Sequence, residues 1–120
     1  MGHDLKRLAP LAALALLVAC AAPDPQSSTN AVTRAIYSDD AASAAGYFDG
    51  ATQRAITRAS VGMLSDKMHA LGKYERLSLL GMDTSTHVYT YRASFAKGTM
   101  NVVVRLDPDG KLAAYRVFST

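Results

Sequence analysis

The chain has one cysteine, no tryptophan, four prolines and few charged side chains for its 120 residues. A single cysteine rules out an internal disulfide framework and every zinc pattern built on paired thiols. No Gly-x-x-x-x-Gly-Lys run offers a phosphate cradle, and no Gly-x-Ser-x-Gly elbow presents a nucleophile. The longest apolar stretch, Leu8–Ala19, is 12 residues and is interrupted by Pro10. That is well short of the roughly 20 that a membrane-spanning helix needs. The net charge is +3, and removing Met1–Ala19 with Lys6, Arg7 and Asp4 leaves 11 basic against 9 acidic residues. Such a balance argues against a nucleic-acid partner, which calls for a concentrated basic stripe.

What is present begins at the N-terminus. Lys6 and Arg7 precede the apolar run, which ends in Leu17-Val18-Ala19-Cys20. A basic start, a short apolar segment and small residues before a cut form the pattern of a cleaved secretory leader. The four residues match the lipobox, and in this respect the chain resembles bacterial lipoproteins. The resemblance implies recognition of Leu17, Val18 and Ala19 by a signal peptidase and a diacylglyceryl thioether on Cys20. It also implies attachment to a membrane. With Ala21 and Ala22 rather than an acidic residue after the cysteine, the expected place is the periplasmic face of a Gram-negative outer membrane. Residues 1–19 are then leader, and 20–28 the lipidated cysteine with a flexible tether rich in proline and small residues. Residues 29–120 make one α+β domain.

Within that domain the first half has helical period. Thr29 or Asn30 is placed to cap a segment carrying Val32, Ala35 and Ile36 on one face. Ser38-Asp39-Asp40 breaks and recaps the chain before Ala41–Phe48, and a third helical piece spans Ala51–Arg58. Ser65 or Asp66 can cap a further piece in which Leu64, Met68 and Leu71 form a stripe, closed by Gly72. After Gly72 the period becomes two. Tyr74–Met82, His87–Lys97, Met100–Leu106 and Leu112–Phe118 read as strands, with Asp107-Pro108-Asp109-Gly110 as a hairpin turn. Helices first and consecutive strands afterwards predict N-terminal helices packed on a curled four-stranded antiparallel sheet.

The layout of Asp39-Asp40, Tyr47-Phe48 and Leu64 through Tyr74 resembles small secreted domains of the nuclear-transport-factor-2-like, cystatin-like superfamily. So does Val102 through Leu112 around its turn. The resemblance implies a cone-shaped fold with an apolar cavity. Enzymes of that superfamily, such as ketosteroid isomerases and polyketide cyclases, place an acid or base in the cone. No catalytic motif carries over onto this sequence residue by residue. Asp39, Asp40, Asp49, His69 and His87 are the acid–base candidates, with Tyr89, Tyr91 or Tyr115 as hydroxyl donors. Asp39 and Asp40 read more readily as a helix break and a cap, and Asp49 as a turn residue. His87 reads as a surface residue at the start of a strand.

Leu64, Met68, His69, Tyr89, Tyr91 and Phe95 are the candidate lining for a small apolar ligand. Met63, Met68, Met82 and Met100 suit either an adaptable lining or gaps in a small core. Period alone leaves open whether the Tyr89/Tyr91/Phe95 face points inward or docks against a partner, so homodimerisation through the sheet is a further expectation. No cofactor is expected, and no catalytic or metal-ligating set is assigned. The expectation for function is a non-enzymatic lipid-anchored domain that binds a small apolar ligand or an envelope protein. Two alternatives stand beside it: a small isomerase or cyclase using an Asp or His in the cone, and an envelope-assembly module with a filled core.

Overall fold

A computed structural model describes residues 24–120; the leader and the lipobox, including Cys20, lie outside the described residues. Four helices precede four strands. Helix α1 spans Pro25–Tyr37, α2 Ala41–Ala45, α3 Gly50–Gln53 and α4 Arg58–Ala70. Strands β1 (Tyr74–Asp83), β2 (Val88–Phe95), β3 (Gly98–Leu106) and β4 (Leu112–Ser119) follow. They form one antiparallel sheet in the order β1-β2-β3-β4, a meander joined by hairpins. No helix among the described residues is long and apolar enough to cross a membrane.

Helix α1 begins earlier than its apolar spacing predicts. The Asp24 carboxylate accepts the Ser27 backbone N–H at 2.9 Å, and Pro25 follows at the first helical position. Proline is well suited there, because its missing donor would have no intrahelical partner anyway. Pro25–Ser28, expected to belong to a flexible tether, is therefore the first turn of a helix. Ser28 and Thr29 are already buried in it.

The other correction concerns α3 and α4. The piece expected over Ala51–Arg58 ends at Gln53, and the one expected to start at Ser65 or Asp66 starts at Arg58, behind a capping box in which Thr57 and Ser60 satisfy each other's backbone N–H. Ser65 does not cap. It sits buried mid-helix and donates its hydroxyl to the Tyr37 carbonyl at 3.0 Å, tying α4 to the end of α1. The expected stop at Gly72 is present, with φ at 89°.

The sheet's inner face meets α1 and α4. Met68, Tyr91, Val102, Val104 and Leu112 are fully buried there, together with Val32 from α1. The Tyr91/Phe95 face thus points into the core, which settles the ambiguity that strand period left open. The sheet is not strongly curled, contrary to the expectation. Curvature in antiparallel sheets comes from bulges, and the central β2–β3 pair runs through its whole length without a register shift. The bulges fall on β1 and at the end of β3.

The outer face carries the alternate residues. In register across it lie Ser78, Arg92, Asn101 and Phe118, then Thr90, Val103 and Arg116, then Val88, Arg105 and Ala114. Arg76 belongs to the same face, opposite Ser94. Arg76, Arg92, Arg105 and Arg116 thus share one face of the sheet.

Candidate functional site

Between α3, α4 and strand β4 lies an open groove of about 330 Å³. Its floor is Ile36, Phe48 and Val61, which belong to the buried core. Its walls are half-buried Ile56 and Leu64 on one side and Ala113–Tyr115 on the other, with Ser60 and Arg116 at the rim. The local sequence explains the opening. The chain between Gln53 and Arg58 is not helical, and Ala113, on the same side of the facing strand as Tyr115, is too small to fill the gap. Phe48 is fixed from behind, because Asp49 N–H donates to the Leu112 carbonyl and Leu112 N–H to the Tyr47 carbonyl, both at 2.9 Å.

Tyr115 closes the inner end of the groove. Its hydroxyl lies 2.8 Å from the Thr33 hydroxyl, and its ring packs edge-on against Phe48. Burial of the phenol pushes its pKa far above the usual tyrosine range. The groove therefore offers apolar walls, the hydroxyls of Thr52, Ser60 and Tyr115, and the Arg116 guanidinium at its mouth. Small-molecule sites are built in this way, from apolar walls with a few polar groups at fixed positions.

Of the six residues predicted to line a ligand site, the structure brings only Leu64 to this groove. Met68, Tyr91 and Phe95 are core residues, and Tyr89 stacks on Tyr91 with ring centroids 6.5 Å apart. His69 lies outside the groove on the exposed side of α4. It stacks on Tyr37 at 4.0 Å and pairs Nε2 with the Tyr37 carbonyl at 2.8 Å. Tyr115, expected as a hydroxyl donor, does reach the groove, whereas Phe48, Ile56, Ala113 and Ala114 carried no expectation of a lining role. Their contribution depends on the parallel bridge between Phe48 and Leu112, a long-range pairing without a local signal.

The acid–base candidates have structural tasks. Asp40 caps α2 through Ser43, and Asp49 caps α3 through Thr52. The Ser43 hydroxyl and amide hold the Asp40 carboxyl below its ordinary range, and those of Thr52 do the same for Asp49. A general acid or base working near neutrality needs the opposite shift. Asp39 and His87 are exposed and adopt positive φ, at 57° and 58°, in turns. Among the described residues, no group of three His, Cys, Asp or Glu side chains is placed to hold a metal ion.

Two other recesses are present. One of about 490 Å³ lies between the start of α1 and the β3–β4 turn, where Lys111 Nζ donates to the Gly46 carbonyl. Another, of about 550 Å³, is a polar dish beside Asp39, Asp40 and Arg58. No family model, curated protein or solved structure matches the chain.

Proposed function

We propose that this chain is a lipid-anchored cell-envelope domain that binds a small apolar ligand in the α3–α4–β4 groove. The observation that carries the binding part is the groove itself, whose floor is core and whose walls are Ile56 and Leu64. A surface cleft with buried apolar residues at its base exposes area that water solvates poorly, and an apolar ligand removes it from water. The anchoring part is carried by Leu17-Val18-Ala19-Cys20 after a basic start and a short apolar run. The acyl chains on Cys20 insert into the membrane, each buried methylene contributing about 0.8 kcal/mol. Helices lying on one face of an antiparallel meander sheet support a cystatin-like relationship, without the strongly bent sheet of a cone.

The test is titration of the mature domain with N-phenyl-1-naphthylamine, a small apolar fluorophore, against a Leu64→Glu variant. Wild type brightens the probe saturably, and the variant, with a charge on the groove wall, loses at least tenfold in affinity, about 1.4 kcal/mol. Equal binding by both, with unchanged circular dichroism, would exclude the groove as the site.

A further inference from the structure

Resting on the lipid-anchor proposal, we infer that the far end of β1 is a membrane-seating edge: exposed Leu79, Leu80 and Met82 lie against the phospholipid surface that holds the Cys20 lipid. These residues are 43%, 48% and 58% exposed, an unusual concentration of large apolar side chains on one strand end. An exposed apolar cluster of this kind marks a contact surface. The core does not need them. Helix α1 meets β1 at Leu77, through Gln26, and the exposed side chains lie further along the strand. The bulge between Leu79 and Gly81 leaves Leu80 as the extra residue of the strand.

The place where the anchor leaves the domain selects the occupant. Gln26, in the first turn of α1, donates its side-chain amide to the Leu77 carbonyl at 2.9 Å. The chain therefore enters the fold two residues along β1 from Leu79. Because α1 starts at Pro25, only Ala21–Asp24 separates the fold from Cys20. Four residues reach about 14 Å at full extension. A lipid embedded at Cys20 thus draws this end of the sheet, and no other, against the headgroups. Arg105, in register with Val88, and Lys111 supply cations near the same end, beside the anionic Asp83, Asp107 and Asp109 of its turns, so the apolar side chains and the tether length, not net charge, carry the placement.

The experiment uses the mature acylated chain, in which the lipid occupies Cys20 and an introduced cysteine is the sole thiol. Leu80→Cys and, at the opposite end of the sheet, Lys97→Cys are each labelled with an environment-sensitive fluorophore. Both are placed on vesicles of phosphatidylethanolamine and phosphatidylglycerol, with or without brominated acyl chains. Brominated lipid quenches the Leu80 label and leaves the Lys97 label unchanged if the edge is seated. Equal behaviour of the two labels on acylated, vesicle-bound protein would overturn the seating while leaving the anchor intact. A Leu80 label shielded in buffer by the unacylated chain, in step with its concentration, would show that a second copy covers the edge and would also overturn it. Absence of acyl mass on Cys20 of protein from its own envelope would remove the anchor proposal, and the seating with it.

Discussion

The Tyr115 hydroxyl lies 2.8 Å from Thr33 Oγ1, and that same Thr33 oxygen lies 2.8 Å from the Thr29 carbonyl. A hydroxyl has one proton, and a carbonyl only accepts. Thr33 must therefore donate to Thr29, which leaves Tyr115 to donate to Thr33. This ordered pair spans the seam between α1 and β4. It unequally predicts the cost of losing each partner. Thr33→Val strands a buried phenol and should cost about 1–3 kcal/mol, whereas Tyr115→Phe removes a donor whose acceptor remains bonded elsewhere and should cost about 1 kcal/mol. The double variant should be milder than the sum of the two. Urea unfolding of the four proteins measures this, and a larger loss for Tyr115→Phe would reverse the assigned direction.

Stability should fall at both ends of the pH scale for different reasons. The Asp24, Asp40 and Asp49 carboxyls are held below the model-compound value of 3.8 by bonds from Ser27, Ser43 and Thr52. A carboxyl with a depressed folded pKa contributes stability above its unfolded value and loses it as the pH falls through the folded one. Burial pushes Tyr74 up to about 12, and Tyr91 and Tyr115 also rise above 10.0. Those phenols favour the folded state below pH 10.0 and withdraw that support as the pH climbs through their folded values. Urea midpoints recorded across pH should be flat in between; a rising midpoint above pH 10.0 would contradict the burial of these rings.

Two glycines with positive φ should respond differently. At Gly110, φ is 82° and an added Cβ meets nothing within 4 Å. At Gly72, φ is 89° and the Cβ would stand 3.1 Å from the Ala96 Cβ. Gly110→Ala should therefore cost only the left-handed strain, about 1–2 kcal/mol. Gly110→Val should cost at least as much, since a β-branched residue resists positive φ. Gly72→Ala should cost more than Gly110→Ala, because strain and crowding combine. Melting temperatures of the variants decide the order.

Cys20→Ala should abolish acylation and processing by the lipoprotein peptidase. Fractionation with mass spectrometry of the N-terminal peptide reads both. A membrane-bound, acylated product from the variant would refute the role given to Leu17-Val18-Ala19-Cys20.

The sequence alone determined the helix-then-strand order, the four strands and the Gly110 turn, because period and turn chemistry are local properties. Strand alternation also grouped Tyr91, Ala93 and Phe95, without saying which side was covered. Only tertiary structure decided that this face is core, since the choice depends on where α1 and α4 lie. The groove was equally illegible. It depends on a bridge from Phe48 to Leu112 across 64 positions of sequence, and on a small Ala113 across the groove from Ile56 and Leu64. Ser65 shows the same limit within one element: its type suggested a cap, but the Tyr37 carbonyl across the helix pair gave its hydroxyl a better use. Local pattern fixes what each segment prefers to be; contacts between distant segments fix which surface is left open.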